Sequence, residues 1–284
     1  MIDLANQAVF NPLKYDFPNI EWFGQEGGRG LRGVALDGDT VYICAGGRLL
    51  AYDTKFRQTG SWQNPYLANC QGISIHQREM FLACAGNDCL LAFDLDEKKI
   101  HWAMHIRSER HQFRPAAFDP STPDGPIPVN KLHLRSVRCS EGGIYFSGMN
   151  TGGLLHFNGQ KIQMLAELPA GAQDAQVFRN GVVFNDSRAG VLRYAGDDEG
   201  SEDRAMPVPY FEASDHSDRD TDETRMLKRG YGRGLCVLSG TAVAGGSTPA
   251  GITLYDLRAN RKLLTVRFTK DPREAINDII VWPL

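Results

Sequence analysis

A unit of about twenty-five residues returns five times along this chain, and that repeat restricts the possible folds more than any other feature. The copies are LRGVALDGDTVYICAGGRLLAYD (31–53), CQGISIHQREMFLACAGNDCLLAFD (70–94), LRSVRCSEGGIYFSGMNTGGLLHFN (134–158), DAQVFRNGVVFNDSRAGVLRYA (174–195) and GRGLCVLSGTAVAGGSTPAGITLYD (232–256). Each opens with a short alternating strand, turns through Gly, Asn or charged residues, and runs into a second strand. A small-residue turn then leads to a third strand that ends in Tyr or Phe. The first strands align on Val34, Ile73, Val137, Val177 and Leu235, and the third strands on Tyr52, Phe93, Phe157, Tyr194 and Tyr255. Within a unit these anchors lie 18, 20, 20, 17 and 20 residues apart, a regularity that fixes a common length for every unit. A fourth strand follows at 60–62, 99–106, 161–165 and 262–268.

Four short antiparallel strands recurring about every forty residues, with no helical periodicity between them, predict blades of an all-β propeller. The chain ends extend the pattern. INDIIVWPL (276–284) copies a first strand with Ile279 at its anchor, and Leu13-Lys14-Tyr15-Asp16 copies a third-strand ending. AVF (8–10) and IEWF (20–23) can serve as second and fourth strands. The expectation is therefore six four-stranded blades in one domain over 1–284, the last blade built from three N-terminal strands and one C-terminal strand; the alternative is five blades with a loose N-terminal arm. Closure of that kind removes open sheet edges between the ends of the chain.

The rhythm of GVALDGDTVYICAGGRLLAYD resembles the six-bladed propellers of the NHL-repeat, gluconolactonase and strictosidine-synthase type, over nearly the whole chain. The gluconolactonase resemblance implies a channel metal site of a Glu, an Asn and an Asp from separate blades. Asn277 and Asp278 match two such positions, whereas no Glu or second Asn stands at the corresponding place. Propellers host unrelated functions, so the resemblance implies architecture more than activity.

Propeller topology sorts the loops between two faces. Two positions before the first-strand anchors stand Arg32, Gln71, Arg135, Ala175, Arg233 and Asn277, and the next positions are Gly33, Gly72, Ser136, Gln176, Gly234 and Asp278. Three arginines in blades one, three and five thus converge on one channel mouth, where their planar forks suit a carboxylate or phosphate. Arg188 joins the same face from a second-to-third-strand turn. The alternative is a structural ring in which Asp174, Asp186 and Asp278 answer the arginines. His133, beside Arg135 at the head of a first strand, is the titratable candidate for acid/base work, with Asp278 and Tyr231 beside it on that face. Cys70 occupies a comparable position.

Spacing between anchors is 39, 40 and 44 residues where loops are short, and 64 and 58 where they are long. The two insertions, at about 106–131 and 195–231, are expected on the arginine face as lids or partner-binding loops. The first carries Arg107, Arg110, His111 and Arg114. Residues 195–229 hold eleven acidic against five basic residues, a local net of −6. The run SDHSDRDTDET (214–224) alternates carboxylates as calcium loops do, yet lacks their turn Gly and terminal Glu.

Other function classes fall away on composition. A net charge of −3 speaks against nucleic acid, and no apolar run is long enough for a membrane span or a secretory signal. Six cysteines without paired metal-ligand spacing read as buried reduced thiols of a cytoplasmic protein. No redox-cofactor, P-loop, GxSxG or HExxH motif is present, and no cofactor is expected. Two functions remain open. One is a propeller binding a small anionic molecule at the arginine mouth, with hydrolase or lyase/isomerase chemistry the compatible class. The other is a non-catalytic scaffold that docks a partner protein through its two long loops.

Overall fold

The structure is a computed structural model that describes residues 1–3, 6, 8–13, 30–110, 112–196, 203–210, 230–270 and 274–282. After a two-stranded ribbon of β1 (Ile2–Asp3) and β2 (Ala8–Val9), the chain builds five antiparallel sheets in sequence order. Blade one is β3 (Leu31–Asp37), β4 (Thr40–Ala45), β5 (Arg48–Tyr52) and β6 (Gln58–Gln63). Blade two is β7 (Cys70–His76), β8 (Glu79–Cys84), β9 (Cys89–Asp94), β10 (Lys99–Glu109) and β11 (Gln112–Phe118). Blade three is β12 (Leu134–Ser140), β13 (Gly143–Gly148), β14 (Gly153–Phe157) and β15 (Ile162–Glu167). Blade four is β16 (Ala172–Phe178), β17 (Gly181–Asp186), β18 (Val191–Gly196) and β19 (Arg204–Pro207). Blade five is β20 (Tyr231–Val237), β21 (Ala242–Thr248), β22 (Gly251–Asp256) and β23 (Arg261–Arg267).

Alternation in the strands gives each blade two apolar faces, and neighbouring blades bury them against each other. Tyr42, Leu49, Met80, Leu82 and Phe93 join blades one and two, with Trp62 packed edge-on against Phe93 at 5.0 Å. Leu90, Met104, Phe146 and Leu155 join blades two and three. Leu154 and Phe184 link blades three and four, and Val183, Leu192, Leu235 and Tyr255 link four and five. Aromatic rings at the third-strand ends supply much of this area, which is why that position keeps Tyr or Phe. Close approach of the inner strands needs glycine. A Cβ on Gly33 would stand 2.9 Å from the backbone of Gly72, and one on Gly72 would stand 3.0 Å from the Arg135 carbonyl.

Several expectations are corrected. Among the described residues the structure has five blades and not six. AVF (8–10) does not supply a blade strand: β2 pairs with β1 (Ile2 opposite Val9), and Leu13 packs on blade one. Residues 14–29, which include the proposed IEWF strand, lie outside the described residues. The C-terminal copy of a first strand forms no ladder; residues 274–282 have no strand assignment among the described residues. They run instead between blades five and one. Ile276 N donates to Ser247 O at 3.1 Å, Asn277 Nδ2 to Leu31 O at 3.1 Å, and Trp282 stacks on Phe56 at 5.8 Å.

The first insertion is a strand and a strap. Its start prolongs β10, and β11 adds a fifth strand to blade two, pairing residue by residue from Glu109 opposite Gln112 to Ala103 opposite Phe118. The remainder is strapped down: Asn64 Nδ2 donates to Pro120 O, the Tyr66 hydroxyl to Thr122 O, and Asn87 Nδ2 to Pro126 O. In the second insertion β19 completes blade four, while 197–202 and 211–229, including the acidic run 214–224, lie outside the described residues. No helix of the described residues is long and apolar enough to cross a membrane.

Candidate functional site: a ring of bulged residues at the channel mouth

The inner strand of every blade carries one extra residue near its start. In β3 the register jumps between Leu31 and Val34, in β7 between Cys70 and Gly72, in β12 between Leu134 and Ser136, in β16 between Gln173 and Gln176, and in β20 between Gly232 and Leu235. A bulge leaves its residue outside the ladder and re-aims the side chain, here toward the propeller axis. The residues it presents are Arg32, Gln71, Arg135, Asp174 and Arg233. In blade four the member is therefore Asp174, three residues before the expected anchor Val177, which is exposed. Alignment on the nearest valine slipped because a polar residue holds the true position.

Four of the expected site residues form one network. Arg32 Nη1 donates to Asn277 Oδ1 at 2.8 Å and to Gln71 Oε1 at 3.5 Å, and Arg135 Nη1 donates to the same Gln71 oxygen at 3.0 Å. Gln71 Nε2 is held in turn by Asn69 Oδ1. One amide oxygen thus bridges two guanidinium groups. Arg135 is 4% exposed, and among the described residues it has no carboxylate partner. A buried cation answered only by an amide dipole is under-compensated.

The other half of the ring is arranged differently. Asp174, in a left-handed backbone conformation (φ 55°), accepts from Gly234 N at 2.8 Å and Asn185 Nδ2 at 3.3 Å, tying blade four to blade five. Arg233 lies over the Tyr231 ring at 5.6 Å. Gln176 donates from Nε2 to Leu235 O at 2.7 Å.

Each proposed catalytic residue has partners of its own. Tyr231 accepts at its hydroxyl from Gln173 Nε2 at 2.8 Å, so it orients a buried amide. His133, half-buried with φ 51°, uses its carbonyl to accept from Met149 N at 3.1 Å. Asp278 is clasped further along the inner strands: Oδ2 accepts from Val34 N at 3.1 Å and Oδ1 from Ile279 N at 2.9 Å. Burial raises its pKa to about 6, against the opposing pull of Arg138 at 3.8 Å. Arg138 went unnoticed in the sequence although it spans the axis from blade three, donating to Leu235 O of blade five at 3.3 Å. Its spacing of three residues from Arg135 was the available signal. Arg188 is exposed on the rim beside Gly171. Asp186 is engaged by Arg193 at 2.9 Å and not by the ring.

Cys70 is buried beside the thiols of Cys44 and Cys84, and burial pushes both of those well above the ordinary thiol range. Among the described residues no group of three or more His, Cys, Asp or Glu is disposed to hold a metal ion. His111 and His216 lie outside the described residues. Asn277 and Asp278, the two positions matched to a gluconolactonase-type metal set, are both spent on backbone and arginine partners.

No family model matches the chain, and no curated protein sequence does. Solved structures do match, 1073 chains in all, a breadth that shows how widely the architecture is reused. One, from a nidogen/laminin complex, is 13% identical with a TM-score of 0.54, covering 84% of this chain and 80% of that one. Another, U3-55K, is 10% identical with a TM-score of 0.55, covering 86% of this chain and 65% of that one. The WD40 β-propeller domain of Doa1 is 12% identical at a TM-score of 0.49, covering 85% and 70%. At such identities the first two likenesses show the β-propeller fold alone.

Proposed function

We propose that the chain is a binding propeller whose channel mouth takes an anionic group, a carboxylate or a phosphate, between Arg32 and Arg135. The observation that carries this is the buried Arg135 guanidinium, held by the Gln71 amide with no carboxylate beside it among the described residues. An incoming anion would supply the missing counter-charge and use the planar forks that the bulges aim inward. Binding without turnover is the better-supported form, because the Tyr231 hydroxyl is engaged by Gln173 and the Asp278 carboxylate by the Val34 and Ile279 amides.

A thermal-shift panel of small carboxylates and phosphates tests this. A ligand at about 100 times its dissociation constant raises stability by about 2.7 kcal/mol. The expected result is a shift in the wild type that disappears in Arg135→Met and survives in Arg188→Met. A panel with no shift, or a shift that Arg135→Met retains, would remove the mouth as the site.

A scaffold reading has one observation in its favour: among the propellers it resembles is one solved as part of a nidogen/laminin complex. It would use the surface around 106–131, where β11 and its strap form an ordered ridge. Deleting 112–118 would then abolish partner capture while leaving anion binding unchanged.

A further inference from the structure

The buried cation of the mouth has a counterpart of opposite sign in the next blade. Arg135 and Asp174 stand at the bulges of β12 and β16. Two hydrogen bonds join those bulges: Ser136 Oγ meets Ser147 Oγ at 2.8 Å, and Ala175 N donates to Ser147 Oγ at 3.2 Å. Asp174 is 5% exposed, and its bonds from Gly234 N and Asn185 Nδ2 both end on Oδ2. Among the described residues no hydrogen bond reaches Oδ1, and no cation, Arg135 included, pairs with the carboxylate. A buried carboxylate held by neutral donors alone is under-compensated in the same way as the Arg135 guanidinium.

The side chains around Asp174 add further acceptors. Gln173 and Asn185 stand opposite each other in the β16–β17 ladder, both fully buried, so they share one face of the sheet. Both have committed their NH2 groups. Gln173 Nε2 donates to Ser187 Oγ at 2.7 Å and to the Tyr231 hydroxyl at 2.8 Å. Asn185 Nδ2 donates to Asp174 Oδ2 and to Gly234 O, each at 3.3 Å. Gln173 Oε1 and Asn185 Oδ1 are left buried without a donor. Turning the Asn185 amide over would set its oxygen against the Asp174 carboxylate and the Gly234 carbonyl, so the geometry fixes Oδ1 as the unpaired atom. Glycine at 232 keeps the space before it open, since a Cβ there would stand 2.6 Å from that oxygen. Neighbouring acceptors beside an unanswered negative charge suit a compact cation with several N–H donors, which describes an ammonium group.

We propose that the mouth takes an amino acid, whose carboxylate lies on Arg135 and whose ammonium group donates to Asp174 Oδ1 and Asn185 Oδ1. The proposal rests on the carboxylate reading of the mouth and supplies the other end of the ligand. Since Arg135 and Asp174 are not paired with each other, the ligand bridges blades three and four, and the separation of its two charges selects which amino acid fits.

Isothermal titration calorimetry on the full chain tests this with glycine, β-alanine, γ-aminobutyrate and δ-aminovalerate. Each is compared with the carboxylate of the same length that lacks the amine. The expected result is that at least one amino acid binds about tenfold or more tighter than its counterpart. That advantage should collapse in Asp174→Asn, which keeps an acceptor for the Gly234 amide and removes the charge. Melting curves establish that the variant is folded, and the wild-type comparison stands alone if it is not. Amino acids that bind no tighter than the plain carboxylates would overturn the proposal and leave the anion-binding mouth in place, whereas no binding in either series would remove both. Stabilisation of the wild type by potassium chloride over choline chloride, absent in Asp174→Asn, would assign these acceptors to a metal cation and also overturn the proposal.

Discussion

The seam between blades two and three and the seam between blades five and one join the same kind of inner strand by opposite means. At the first, Leu90, Met104, Phe146 and Leu155 are packed face to face, nearly all out of reach of solvent. At the second, residues 276–278 lie between the blades and are held by hydrogen bonds to Ser247, Leu31, Arg32 and Val34, around an aspartate raised toward neutrality by burial. Apolar contact is insensitive to pH and scales with area, whereas a clasp of polar groups depends on each partner and on protonation. The ring is thus welded on one side and latched on the other.

The largest effect expected from this contrast is in the weld. Phe146→Ala should cost about 3–5 kcal/mol in denaturant unfolding, because a fully buried ring leaves a cavity. An effect no larger than that of a latch mutation would break the comparison. Asp278→Ala should cost about 1–3 kcal/mol, the penalty for leaving the Val34 and Ile279 amides without their acceptor.

The third prediction sharpens the contrast through pH. The folded-state pKa of Asp278 is raised from 3.8 to about 6, so the folded protein takes up this proton before the unfolded chain does. Stability relative to Asp278→Asn should therefore rise as pH falls from 7 through about 6 toward 3.8, by on the order of 1 kcal/mol or more. Parallel pH profiles for wild type and Asp278→Asn would contradict it. The smallest effect belongs to Arg188→Met, an exposed rim change expected to stay within about 0.5 kcal/mol in thermal unfolding.

Much of the architecture was legible because blade strands write period-two alternation and an aromatic stop into every copy. Tyr52, Phe93 and Tyr255 are buried where that pattern places them. Three things were not legible, each for a physical reason. A bulge adds one residue without changing composition, so the ring position in blade four passed from Asp174 to its apolar neighbours. Strand β11 carries Pro115 and little alternation, and its pairing depends on the edge of β10 more than on its own sequence. The C-terminal INDIIVWPL has a strand's composition, yet its Asn277 and Asp278 spend their side chains on blade one in place of a backbone ladder. At the mouth, the bridging role of Gln71 and the axial Arg138 emerge only from three-dimensional placement.

The most direct test of the arginine mouth is a crystal of the protein soaked with selenate and measured at the selenium edge. An anomalous peak within hydrogen-bond distance of Arg135 and Arg32, absent in Arg135→Met, is the expected result. A mouth without a peak while selenate occupies the exposed Arg188, or an Arg135 found paired with a carboxylate of its own chain, would contradict it.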